Sequence, residues 1–187
     1  MCGRYTVFTQ EEDSLMNRIL VSAGFDGTQG DIAPTDAAPI LTLNDGKVKS
    51  GPAYWGFPSP DDYRKPVINS RCETASEKRF FRDALYYRKC VIPATGFYEW
   101  SRATKLKYLF RAHDSEMIYM AGAYNEYGPV RKFVIFTRDA DEDMADIHNR
   151  MPVLITADKV REYLTEFSSY ERAFIAAPHR IDRTLIS

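Results

Sequence analysis

The second residue of the chain is a cysteine, in Met1-Cys2-Gly3-Arg4, and removal of the initiator methionine would expose it as the first. A terminal cysteine carries a thiol and a free α-amine on adjacent carbons. The amine's ordinary pKa of about 8 leaves a neutral, nucleophilic fraction near neutrality, and a free thiol titrates at about 8.5. Together they can take an aldehyde through an imine and close it into a five-membered thiazolidine ring. Neither an internal cysteine nor a lysine can do this. The plain alternative is a small buried residue that happens to fall early.

Three further stretches hold more reactive groups than packing requires: Asn69-Ser70-Arg71-Cys72-Glu73-Thr74, Gly96-Phe97-Tyr98-Glu99-Trp100 and Asp146-Ile147-His148-Asn149-Arg150-Met151-Pro152. Taken singly, Asn69 reads as a turn-capping amide and His148 as a helix-end residue favoured by the macrodipole. Glu99 is harder to set aside, because acids are depleted in strands and this one stands among aromatics. The strand period of two turns it away from the side carrying Tyr98 and Trp100. No metal centre is expected. There is no Cys-x-x-Cys or His-x-x-x-His pairing, and His113, His148 and His179 are scattered singly.

The elements that must position these groups follow from patterning. Residues 5–8 read as a short strand, and Thr9 with Glu12 forms a capping box opening a helix whose Leu15, Ile19 and Leu20 share a face, ending near Gly24. Residues 40–43 and 47–48 predict a hairpin turned by Asp45-Gly46; residues 54–57 predict a further strand. Thr74 and Glu77 repeat the capping-box spacing ahead of Phe80, Phe81 and Ala84, which predicts a second helix. Strands are expected at 90–93 and 97–100 on either side of a Gly96 turn, and at 108–110, 117–124, 133–137 and 153–155. The acidic run 139–146 predicts a short helix, and Thr156 starts another reaching about residue 167. The stretch after Ser168 has no clear pattern. Many short strands, few helices and no regular βα alternation predict an α+β fold: a single domain over residues 1–187 with a strongly curved, mainly antiparallel, barrel-like sheet flanked by a few helices.

Composition narrows the setting. A chain of 187 residues with 44% hydrophobic content can bury one well-formed core. No apolar run reaches membrane-spanning length and the start lacks a signal-peptide pattern. Three widely spaced cysteines, Cys2, Cys72 and Cys90, suit a reducing compartment. A cytoplasmic or otherwise intracellular monomer is therefore expected. The net charge of −1 is unevenly spread: residues 64–107 hold eleven Lys and Arg against four acids, a stretch of +7 that leaves −8 elsewhere. Such a block can form an electropositive face for phosphates, although for any one of these charges a solvated surface is the simpler reading.

In this order and spacing, Met-Cys-Gly-Arg at the start, Asn-x-Arg-x-Glu-Thr from Asn69, Gly-Phe-Tyr-Glu-Trp from Gly96 and Ile-His-x-Arg-Met-Pro from Ile147 resemble the SOS response-associated peptidase (SRAP) family, whose members shield abasic sites in DNA by covalent attachment. The resemblance runs from Cys2 to about Leu154. It implies that Cys2 is the crosslinking residue, Asn69 a positioning amide, Glu99 a general acid/base and His148 a second acid/base group. It further implies that Arg4, Arg71 and Arg150 contact DNA and that Pro34 and Trp55 wedge against bases beside the lesion. The implied partner is single-stranded DNA carrying an abasic site, including single/double-strand junctions, with no cofactor. The chain departs from the family pattern where Gly30-Asp31-Ile32 replaces a frequent Tyr-Asn, and in a short region after Trp100.

Two other classes fit parts of the sequence. An amino-terminal-nucleophile hydrolase, of amidotransferase or peptidase type, would use the Cys2 thiol on an amide with the α-amine as base, but gives the basic block no role. A non-catalytic single-strand binding module would leave Cys2 incidental.

Overall fold

The computed structural model describes residues 2–9, 14–27, 30–62, 64–175 and 180–186. Its first strand, β1 (Arg4–Thr6), leads to helix α1 (Leu15–Ser22) and then to β2 (Asp31–Ile32), β3 (Ala37–Asn44) and β4 (Lys47–Trp55). Strand β5 (Asn69–Arg71) runs directly into the single turn α2 (Cys72–Ala75), followed by helix α3 (Arg79–Tyr87). Next come β6 (Lys89–Ala94), β7 (Gly96–Trp100), β8 (Lys107–Ala112), β9 (Ile118–Tyr127), β10 (Val130–Asp139), β11 (Arg150–Pro152) and β12 (Leu154–Ile155). The chain finishes with α4 (Val160–Thr165), α5 (Ser169–Ile175) and β13 (Ile181–Leu185).

Strand β10 closes the larger sheet on itself. It pairs antiparallel with β9 from Val130 to Ile135 and parallel with β4 at Lys132 and Phe133, while β4, β3, β6 and β9 are joined in turn. The result is a five-stranded barrel. Beyond the barrel the same strand continues, pairing with β5 (Ile135 opposite Asn69) and then with β11 (Asp139 opposite Arg150). The second sheet, in order β13-β8-β7-β1-β2, is antiparallel throughout. All six residues of β6 are buried, and the interior continues through Ile40, Ala53, Trp55, Met120, Phe133 and Ile135. The α+β, barrel-like architecture expected from patterning is the one observed.

Several local expectations hold in type and shift in detail. The hairpin turns at Asp45 and Gly46, whose φ values of 50° and 69° are the left-handed pair such a turn demands. Its second strand does not stop at residue 48 but runs on to Trp55, taking Pro52 in its stride opposite Pro39. Helix α1 is capped by Ser14, whose hydroxyl accepts from the Asn17 N–H at 3.1 Å. Glu12, expected in that cap, and His179 lie outside the described residues. The buried face of α1 carries Met16, Ile19 and Leu20, and Leu15 is exposed.

The capping box of Thr74 and Glu77 does not form. Thr74 instead accepts the Glu77 and Lys78 N–H groups through its backbone carbonyl, and α3 starts at Arg79, burying Phe81, Ala84 and Leu85. The acidic run forms consecutive turns over residues 142–147 rather than a helix. Gly96 marks a change of sheet, not a hairpin: β6 belongs to the barrel and β7 to the smaller sheet. A Cβ on Gly96 would come within 2.8 Å of the Phe110 carbonyl oxygen, so only glycine allows β7 to lie so close to β8.

Candidate active site at the amino terminus

Cys2 lies two residues before Arg4, the first residue of β1, which pairs with β7 so that Arg4 faces Tyr98. Continuing that register by one step sets Gly3 opposite Glu99, with Cys2 next to it in the chain. The Cys2 side chain is fully buried, its thiol 3.7 Å from the Arg4 carbonyl oxygen. Burial pushes the thiol pKa well up, and the nearby Glu99 carboxylate adds to the rise. Asn69, at the start of β5, donates from Nδ2 to the Cys2 carbonyl oxygen at 2.8 Å across 67 residues of sequence. The Asn69 Oδ1 is also buried and has no hydrogen-bond partner among the described residues.

Alternation along β7 sends Phe97 and Glu99 inward and Trp100 outward. Glu99 is thus buried, and desolvation raises its carboxyl above the ordinary 4.5. His148 follows the turns of the acidic run, its Nε2 lying 3.7 Å from Glu99 Oε1. Desolvation lowers the imidazole pKa from its ordinary 6.5, and the charges of Arg102 and Arg150 lower it further. The Arg150 backbone N–H donates to His148 Nδ1 at 3.0 Å. The Arg150 carbonyl oxygen stands 3.2 Å from the same Nδ1, so this backbone can serve either neutral tautomer, and the Glu99 carboxylate facing Nε2 favours the one with its proton there.

Four segments far apart in sequence therefore converge, and the residues that do so are Cys2, Asn69, Glu99 and His148. The array offers a carboxylate and an imidazole, both titratable, beside Cys2, which is held by its carbonyl. The described residues contain no group of three or more His, Cys, Asp or Glu arranged to hold a metal ion.

The residues expected to contact DNA divide into two sets. Arg4, Pro34 and Arg71 reach the surface. Arg4 is half-buried, 4.0 Å from Asp31, and Pro34 sits half-buried in the turn after β2. Arg71 is exposed two residues beyond Asn69.

Trp55 and Arg150 do not fit the role the resemblance implied. Trp55 is 0% exposed, its Nε1 donating to the Ile68 carbonyl at 2.9 Å and its ring stacked on Phe133, so no face is open to a base. The same strand turns Tyr54 outward at 44% exposure. The Arg150 side chain is only 7% exposed and occupied by protein carboxylates. It donates to both oxygens of Glu73 (2.6 and 2.9 Å), to Asp139 at 2.7 Å and to the Thr137 carbonyl at 2.6 Å. These hydrogen bonds hold Glu73 below the ordinary carboxylate range. Glu73 and Asp139 were not singled out from the sequence. The signal lay in one acid and one base of two separate motifs, Glu73 of Asn-x-Arg-x-Glu and Arg150 of His-x-Arg, that complement each other.

A family model for SOS response associated peptidase (SRAP) matches residues 1–183, and the chain belongs to that family. Among its relatives, the abasic site processing protein YoqW of Bacillus subtilis is 34% identical over 182 residues, covering 88% of this chain and 80% of that one. The abasic site processing protein YedK of Escherichia coli is 28% identical over 191 residues, covering 95% and 86%. A crystal structure of a Bordetella bronchiseptica protein superposes with a TM-score of 0.80 at 19% identity over the full length of both chains, which speaks for the fold alone.

Proposed function

We propose that this protein binds single-stranded DNA, or a junction of single and double strand, at an abasic deoxyribose and crosslinks to it covalently, shielding the lesion from strand cleavage. The observation that carries this reading is the convergence of Asn69, Glu99 and His148 on Cys2. Its relatives' names as abasic site processing proteins support it.

The reaction needs a ring-opened sugar presenting an aldehyde at C1′ and a Cys2 freed of Met1. The α-amine adds to C1′, and loss of one water leaves an imine. Sulfur then adds to the same carbon, its proton leaves, and the imine nitrogen takes one up, so aldehyde, amine and thiol become a thiazolidine plus water. Burial keeps the thiol protonated, so it needs a base as it adds, and Glu99 is the neighbouring carboxylate. His148, with Nε2–H facing the site, protonates the ring oxygen as the sugar opens. Asn69 grips the Cys2 carbonyl, which fixes the Cα bearing both nucleophiles. Its Oδ1 is the acceptor this reading assigns to the amine. Phosphate contacts from exposed arginines suffice for binding, because a missing base presents no edge to read.

The test uses the untagged protein and a single-stranded oligonucleotide bearing one abasic site, resolved on a denaturing gel beside Cys2→Ala and an amino-terminally extended form. A shifted band is expected only with the native cysteine terminus, after mass spectrometry verifies loss of Met1. Binding unchanged in Cys2→Ala with no band from any form would instead leave a non-catalytic single-strand binder. Ammonia release from glutamine would point to the amide-hydrolase class.

A further inference from the structure

Glu73 and Arg150 belong to the two sequence motifs that also carry Asn69 and His148, and the fold locks them together. Glu73 lies in α2, immediately after the strand that begins with Asn69; Arg150 lies two residues after His148. The Arg150 guanidinium takes both Glu73 oxygens in a fork, adds Asp139, and donates to the Thr137 carbonyl. Thr137 and Asp139 both sit on β10, where Thr137 pairs with Arg71 of β5 and Asp139 with Arg150 of β11. One side chain therefore fixes β5 and β11 to the same stretch of β10. The strand ends that carry Asn69 and His148 are held in register by it.

The backbone of Arg150 completes the arrangement: its N–H, 3.0 Å from His148 Nδ1, is the closer contact and suits a bare Nδ1, while its carbonyl oxygen lies 3.2 Å from the same atom. A guanidinium that is 93% covered and bound to two carboxylates has little left to offer a phosphate. The planar fork also explains why arginine, not lysine, stands at this position.

We infer that the Glu73–Arg150–Asp139 cluster is a positioning device, which holds His148 as the Nε2–H tautomer facing Glu99 and keeps Asn69 in register with it. Arg150 and Glu73 are thus positioning residues that act through His148 and Asn69. The catalytic consequence rests on the crosslinking chemistry proposed above, whereas the tautomer does not.

The experiment pairs ¹⁵N NMR of the imidazoles, at about pH 8 where the ring is neutral, with single-turnover crosslinking at saturating DNA. The full chain is compared with Arg150→Gln, Arg150→Lys and the double substitution Glu73→Gln with Asp139→Asn; His148→Ala assigns the resonance. The native protein is expected to show Nε2 protonated and Nδ1 bare. Each variant is expected to show mixed tautomers and a saturating rate about 10- to 100-fold lower, with the dissociation constant for DNA within about threefold.

An unchanged tautomer and rate in the folded double variant would overturn the inference. So would an affinity loss with the saturating rate intact, which would make Arg150 a phosphate contact, and so would full activity in Arg150→Lys. Should Arg150→Gln not fold, the double variant, whose substitutions fall on more exposed side chains, decides alone. If the native protein forms no crosslink at all, the proposed function fails while the NMR comparison still decides the positioning role.

Discussion

Glu99 and His148 are driven toward each other in acidity by the same cause. Ordinary values of 4.5 and 6.5 would keep a proton on the imidazole in preference to the carboxylate, but burial raises the acid and lowers the base. Burial thus brings the two acidities closer together at a separation of 3.7 Å. Keeping an ionised carboxylate in this site costs stability. Because its folded value lies above its unfolded one, that stability is fully present below about pH 4.5 and is lost as pH rises through the folded value. Glu99→Gln is therefore expected to slow crosslinking by about 100-fold. It should also raise thermal stability at about pH 8 by about 1 kcal/mol, or about 2–4 °C for a chain of this length. Melting curves should converge near pH 4. An equal gain at both pH values would show that Glu99 is not penalised by burial. Glu99 was legible at this scale because an acid amid aromatics in a strand is anomalous by type, and strand parity gave its direction. Trp55 and Arg150, both buried in this structure, show what type cannot tell. An indole or a guanidinium looks the same in sequence whether it meets DNA or a phenylalanine and two carboxylates.

At the scale of elements, the site depends on strands held closer than most side chains allow. Gly122 of β9 lies opposite Cys90 of β6 and Ile135 of β10, between two barrel neighbours. A Cβ there would fall 2.5 Å from the Val134 carbonyl oxygen, a backbone atom that cannot rotate away, and 2.4 Å from Ile92 Cδ1. Gly122→Ala must push β10 outward, and β10 is the strand that carries β5 and β11. The substitution is expected to cost about 1–3 kcal/mol in urea unfolding without a change in the slope of the transition. It should also slow crosslinking, because Asn69 and His148 both depend on β10. A loss of stability with the crosslinking rate untouched would separate the barrel from the site. Strand existence and facing were readable here from alternation, as was the Asp45-Gly46 turn from its residues. The connections were not, since Gly96 carries the chain from one sheet to another where a hairpin looked natural. Nor was the start of α3, where the Thr74 backbone carbonyl displaced the side-chain cap that the spacing of Thr74 and Glu77 suggested.

For the molecule as a whole, the question is which of the clustered cations remain available to a phosphate backbone. The +7 stretch is not one uniform surface. Lys89 is buried, its ammonium donating to the carbonyls of Glu166 and Phe167 and to Ser169 Oγ, and burial lowers its pKa to about 8. It anchors the α4–α5 connection and contributes nothing outside. Arg71, Lys78, Arg79 and Arg82 are exposed, and they follow one another along the chain segment that leaves the site at Asn69. Arg150, formally one more cation near the chemistry, is neutralised internally by Glu73 and Asp139. Counterion release then gives opposite expectations for two arginines of the same family motifs. The logarithm of affinity for a single strand should fall with the logarithm of salt by about 0.7 for each phosphate neutralised. Arg71→Ala is expected to weaken binding and to flatten that slope by about 0.7, while the rate at saturating DNA is retained. Arg150→Gln should leave the slope as it is and lose the rate. Fluorescence anisotropy over a salt series measures both slopes on one oligonucleotide. If Arg150→Gln flattens the line and Arg71→Ala does not, the electropositive path runs across β11 and not along the segment leaving β5, and the buried ion cluster opens when DNA arrives.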